Sequence, residues 1–187
     1  MKAKNISPNP NKLIEIYTEA INKEGEHFSL GYFIDTNPNY TTVISINECG
    51  MIESFQYRKN TFISKIVSSS SYLTNFKKII HYNKSMNLYD PYSLTKVYKE
   101  QFEGKNFLND STLVDKQVSI LTTNNDFILQ GTITKNTNES FTLSSSTFNN
   151  LTENAPYEIQ NKDIVLIDFL SIENKLIEQI KLEKNPI

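Results

Sequence analysis

The chain has 187 residues, 38% of them hydrophobic and 21% charged, with a formal net charge of −2; this is enough to bury a core as one medium domain or two small ones and excludes disorder over most of the length. No apolar block approaches the roughly 18 consecutive residues that a membrane helix needs, and a single cysteine, Cys49, excludes an intramolecular disulfide and a thiolate zinc cage. Residues 1–100 hold 12 basic against 9 acidic side chains and residues 101–187 hold 7 against 12, so phosphate contacts are expected only from a local patch in the first half.

Every basic residue but Arg58 is lysine, tryptophan is absent, and Asn, Ile and Lys abound, as AT-rich coding in a low-GC bacterium would produce. Met1–Asn11 is polar and carries Pro8 and Pro10, with no apolar run resembling a secretory signal, and a cytoplasmic protein is expected. Asn11 can cap a helix in which Leu13, Ile14, Tyr17, Ala20 and Ile21 recur at helical spacing before Gly25. Short β-rich blocks follow: 28–34, then a turn at Asn37-Pro38-Asn39, 42–46, a turn at Cys49-Gly50, and strand-like segments through 51–67. Ser68 to Ser71 lead into an amphipathic helix carrying Tyr72, Leu73, Phe76, Ile79 and Ile80. A further helix is predicted from Asp90 as cap and Pro91 at the first position, with Leu94, Val97, Tyr98 and Phe102 before Gly104.

The second half reads as strands at 117–121, 126–134, 140–144, 156–159 and 163–169, the content of a small closed barrel, and then a helix with Ile172, Leu176, Ile177 and Ile180 on one face. The halves resemble one another. Phe28-Ser29-Leu30-Gly31-Tyr32-Phe33 matches Phe127-Ile128-Leu129-Gln130-Gly131-Thr132-Ile133, and 60–66 matches 161–167; at an offset of 101, Ser70, Phe76 and Ile79 meet Ser171, Ile177 and Ile180. Strand, glycine, strand and helix in one order point to tandem duplication.

Residues 117–169 resemble the Sm-like family, which includes the Sm and LSm proteins and bacterial Hfq. The residues that carry the resemblance are 125–133, similar to that family's second strand with its bend at glycine, and 161–167, similar to its fourth-to-fifth strand passage. The helix from Leu94 to Phe102 would stand for the family's leading helix. The resemblance implies a small barrel and, in the family, rings that bind U-rich or A-rich RNA through an Asp and Asn pair in one motif and Arg-Gly or Lys-His in another. Thr137 to Phe141 lacks that pair, and Lys162-Asp163 replaces the second element, so a barrel is implied more strongly than RNA binding.

The expected fold is therefore α+β, mainly β: two small SH3-like or Sm-like antiparallel β-barrel units, each accompanied by amphipathic helices. Residues 1–88 would hold an N-terminal helix, an abbreviated barrel and a following helix; residues 89–187 would hold a helix, a five-stranded barrel and a C-terminal helix. Tyr82, Tyr89, Tyr92, Tyr98, Phe102 and Phe107 would weld the halves or form a partner groove.

Two histidines exist. His27 follows a predicted helix end and reads as a solvated turn residue. His81 lies among Lys77, Lys78, Tyr82 and Lys84, where basic and aromatic residues interleave as on nucleic-acid surfaces; a charged helix face is the plainer reading. No Gly-rich phosphate loop, paired-histidine metal motif or nucleophile elbow occurs, and Asp163 and Asp168 read as turn and surface carboxylates. The expected function is that of a non-catalytic binding or regulatory protein acting on a protein partner or by self-association, with no cofactor, metal or membrane. RNA binding by an Sm-like protein through Lys77, Lys78, His81, Tyr82 and Lys84 is one alternative; a small hydrolase whose residues meet only in the folded chain is another.

Overall fold

The computed structural model describes residues 12–19, 28–105, 111–125, 127–146 and 155–184. The fold is α+β, mainly β, with ten strands and three α-helices among these residues. The chain divides into two compact units, Met1–Leu94 and Thr95–Ile187, against the division at 88/89 expected from sequence.

The first unit runs β1 (Leu13–Thr18), β2 (Ser29–Thr36), β3 (Tyr40–Ile46), β4 (Ile52–Lys59), β5 (Ile63–Val67) and α1 (Ser71–Ser85). Its strands lie in the order β5-β1-β2-β3-β4, all neighbours antiparallel. Ile14, Ile16, Phe33 and Val43 form the core on one face, with Ile63 and Ile66 against it. The sheet curls enough for Arg58 on β4 to donate from Nη1 to Thr18 Oγ1 on β1 at 3.3 Å, across two intervening strands.

Strand β1 corrects the expected N-terminal helix. Leu13, Ile14 and Tyr17 satisfy a helical period, but all six residues of β1 are buried, which a helix with one apolar stripe could not achieve. Alternate residues serve opposite faces instead: Ile14 and Ile16 enter the core, while Glu15 turns toward α1. Ala20, Ile21 and Gly25 lie outside the described residues. With β1 present the first unit has five strands and is not abbreviated.

The second unit contains α2 (Leu94–Gln101), which starts at the division, then β6 (Gln117–Thr122), β7 (Leu129–Asn136), β8 (Ser140–Ser145), β9 (Tyr157–Gln160), β10 (Ile164–Ser171) and α3 (Ile172–Lys184). Its order, β10-β6-β7-β8-β9, repeats that of the first unit. Helix α2 starts at Leu94 and not at the predicted Pro91: Ser93 has a left-handed φ of 55°, and the Asp90 carboxylate accepts from the Leu94 N–H at 2.7 Å. The capping residue was thus legible and its distance from the helix was not.

The units agree in detail. A Cβ on Gly31 would sit on the Ile44 carbonyl oxygen and one on Gly131 on that of Ser144, so each second strand needs glycine for close approach of its neighbour. Register shifts fall between Phe33 and Asp35 in one unit and between Ile133 and Lys135 in the other. A 3-10 turn joins the fourth and fifth strands in both, at Asn60–Phe62 and Asn161–Asp163. Ser70 caps α1 by accepting from Leu73 N–H, and Ser171 accepts from Asn174 N–H at the start of α3, each at 3.1 Å.

Candidate interaction surface

Helix α1 is the element on which the sequence-predicted contact residues fall. Leu73, Phe76, Ile80 and Asn83 are its buried residues, and each large apolar side chain among them contributes about 1.5–3 kcal/mol by leaving water. Two polar ties fix the helix. Ser70 Oγ donates to Glu15 Oε1 at 2.6 Å near its start, and Asn83 Nδ2 donates to the Cys49 carbonyl at 2.6 Å near its end. The turn carrying Cys49 can lie this close because Gly50 has φ +78° and no Cβ, which would otherwise meet Ile79 Cγ2 at 2.9 Å.

Lys77, Lys78, His81, Tyr82 and Lys84 are all exposed on this helix, and α1 contains no Asp or Glu among its residues. At about 100° per residue, Lys77, His81 and Lys84 share one side. Lys78 and Tyr82 occupy another, so the five make two adjoining patches. Lys78 Nζ donates to Asn75 Oδ1 at 3.3 Å, and Lys84 Nζ lies 4.5 Å from the Tyr89 ring centroid. Tyr89 is itself anchored, its carbonyl accepting from Ile52 N–H at 2.8 Å.

The aromatic residues expected at one junction have separate settings. Tyr82 is solvent-facing, Tyr89 packs in the first unit, and Tyr98 and Phe102 pack on Phe169 in the second. His27 and Phe107 lie outside the described residues. Asp163 closes a 3-10 turn, its carbonyl accepting from Thr123 N–H at 2.8 Å, and Asp168 lies half-buried on β10.

Sequence reasoning missed the paired loops of the first unit. The β2–β3 turn carries Asn37 and Asn39, with Asp35 near the end of β2, and Asn60 opens the 3-10 turn that follows Lys59 at the end of β4. Asn60 joins them, donating from its backbone N–H to the Asn39 carbonyl at 2.8 Å and from Nδ2 to the Asn37 carbonyl at 2.7 Å. The match between Gly31 and Gly131 was the signal that would have led from the second unit's loops to these. Arg58, next in sequence, is 2% exposed and turns inward to Gln56 and Thr18.

In the second unit Lys135, Ser140, Thr142 and Glu158 line an open polar cleft of about 520 Å³. The corresponding ladder positions in the first unit are Asp35, Tyr40, Thr42 and Tyr57, where the two tyrosine rings stack with centroids 4.5 Å apart. At the other end of the β7–β8 ladder, Lys181 Nζ donates to Ser146 Oγ at 2.8 Å and to Gln117 Oε1 and Thr132 Oγ1 at 3.2 Å. A serine beside a lysine has the composition of a nucleophile and its base. Ser146 is fully buried, however, and its hydroxyl donates to Gln117, so the group ties α3 to the sheet.

No His, Cys, Asp and Glu group suited to a metal ion occurs among the described residues, and no helix among them is long and apolar enough to cross a membrane. No protein-family profile, curated protein or solved structure matches the chain.

Proposed function

We propose that the chain is a non-catalytic binding protein built from two Sm-like or SH3-like barrel units, and that it meets a macromolecule through the solvent side of α1. The observation that carries this reading is the helix itself, fixed to its sheet at both ends while presenting three lysines and no carboxylate to solvent. The shared strand order, the paired glycines and the reach of Arg58 to Thr18 favour barrel units arisen by tandem duplication. Composition favours a cytoplasmic bacterial setting. Assays of the purified chain on ester, phosphoester and peptide substrates test the reading: no turnover is expected, and a turnover abolished by His81→Ala would overturn it.

RNA binding is a second reading, favoured by two observations. Tyr82 presents its ring beside Lys78, an arrangement suited to stacking a base beside a phosphate. The loops of the first unit also bring Asn37 and Asn39 to Asn60, next to Lys59, and asparagine and a basic residue are among the types the family uses. Binding to oligo-U and oligo-A at low salt, weakened by raising salt and lost on Lys77→Glu with Lys78→Glu, would support the helix as the contact. Loss on Asn39→Ala alone would assign it to the loops, and no binding at low salt removes the reading.

A further inference from the structure

We infer that the exposed apolar flank of α1 is the seat for an acidic amphipathic helix of another protein. The inference rests on the binding-protein reading and names the chemistry of the partner. Around the helix, at about 100° per residue, the buried residues Leu73, Phe76 and Ile80 adjoin Tyr72, Ile79, Tyr82 and the capping Met86, with Asn75 and Asn83 the polar residues among them, so the largely apolar arc spans about 180° where a packed surface helix needs about 100°. The sheet covers only the first half of that arc. Tyr72 is 46% exposed, Ile79 43%, Met86 53% and Tyr82 61%.

Isolated apolar side chains on a surface are ordinary. These are not isolated, since Tyr72, Ile79 and Met86 recur every seventh residue along a line of about 21 Å, the length of a four-turn partner helix. The seat is also held in place: the Tyr72 ring stacks on Phe76 and meets Phe28 edge-on, and Ile79 abuts Gly50. A preformed apolar strip of this length takes a helix through residues at i, i+3, i+4 and i+7.

Charge selects among the occupants. Lys78 borders the strip beside Tyr82, Lys77 and Lys84 lie farther round, and the helix has no carboxylate. Two copies of α1 face to face would add a second lysine-bearing helix without a carboxylate, whereas a helix with Asp or Glu on one flank of its apolar seam can pair with Lys78. A bilayer fits less well, because Lys77, His81 and Lys84 occupy the side of the helix away from the strip.

The test is a displayed library of helical peptides with a fixed leucine seam and randomised flanking positions, selected on the full chain. Selected peptides are expected to carry Asp or Glu beside the seam. The tightest of them should lose at least about tenfold in affinity, about 1.4 kcal/mol, on Ile79→Asp or Met86→Asp and little on Thr74→Asn, an uncharged change about 140° round the helix from Ile79; circular dichroism checks that each variant is folded. Neutral or basic rims, no enrichment, or binding that survives Ile79→Asp would overturn the inference. So would a dimer of the unliganded chain that Ile79→Asp dissolves, or binding of phosphatidylserine vesicles or oligo-U lost on the same substitution. A negative result here removes the helix seat alone; the binding-protein reading falls only on turnover.

Discussion

Ser70 holds Glu15: its hydroxyl donates to the Glu15 carboxylate at 2.6 Å while accepting from the Leu73 N–H at 3.1 Å, so one side chain both starts α1 and ties it to β1. Tyr17 donates to the other carboxylate oxygen at 2.9 Å. Ser70→Ala removes the cap and leaves a buried carboxylate oxygen without its donor, and should destabilise the first unit by about 2 kcal/mol. Ser171→Ala, which removes the corresponding contact to the Asn174 N–H, should cost about 1 kcal/mol. Urea unfolding monitored by circular dichroism checks both, and equal effects would show that the Glu15 contact contributes nothing.

Gly31→Ala and Gly131→Ala should each destabilise the chain by about 2 kcal/mol or more, because the new Cβ meets a backbone carbonyl that cannot move without breaking the adjoining ladder. Gly104→Ala separates steric from conformational cost. Its Cβ would meet nothing within 4 Å, but its φ is +75°, so about 1 kcal/mol is expected. Thermal unfolding of the three variants should rank Gly104→Ala as the mildest.

Asn60 and Asn161 stand at the same place in the two units and differ at the side-chain oxygen. Asn60 Oδ1 accepts from Thr41 Oγ1 at 2.7 Å, whereas Asn161 Oδ1 is buried with no hydrogen-bond partner among the described residues. The residue at the position of Thr41 is Phe141, which carries no hydroxyl. Thr41→Val should reproduce in the first unit what the second already tolerates, at a cost of about 1–2 kcal/mol, read from the midpoint of urea unfolding.

The tyrosines set the alkaline limit of stability. Burial raises the hydroxyl pKa of Tyr57 above the ordinary 10.0, opposed by a hydrogen bond with Asn37 and reinforced by Asp35; burial and then Tyr57 raise that of Tyr40. Tyr32 is raised by burial, and Tyr89 by burial, then Tyr32 and Asp90. An acid whose pKa is raised on folding gives up its proton more readily when unfolded, so this stability is complete below pH 10 and lost as pH rises above it. Absorbance at 295 nm should show a group of tyrosines ionising late and together with loss of the far-ultraviolet signal. Tyr40→Phe with Tyr57→Phe should move that loss to higher pH.

Much of the fold was legible where a local rule sufficed. Ser70 was placed at the start of α1 by its serine run, the turns at Asn37–Asn39 and Cys49-Gly50 by their composition, and β6 to β10 by short apolar blocks between polar ones. Strand β1 was not legible, because Leu13, Ile14 and Tyr17 fit two periods and only the burial of both faces decides between them. The start of α2 depended on the left-handed Ser93, a conformation that no residue type there demands. For the contact surface, sequence placed Lys77, Lys78, His81, Tyr82 and Lys84 on one exposed helix. It did not tell that Ile79 and Met86 stay uncovered, since that depends on how much of the apolar arc the sheet reaches.

The paired registers also record where the chain accepts a change of length. Gly131 lies 100 residues after Gly31, but Val118, its partner on β6, lies 104 after Ile14, the partner of Gly31 on β1. The connection between the first two strands is therefore four residues shorter in the second unit. Between the third and fourth strands the second unit is one residue longer: Ser140 pairs with Gln160 where Tyr40 pairs with Lys59. The connection between the first two strands, and neither the tight β2–β3 and β7–β8 turns nor the Cys49-Gly50 turn that holds α1, is where a fluorescent tag or a purification epitope should be spliced to leave the ladders undisturbed.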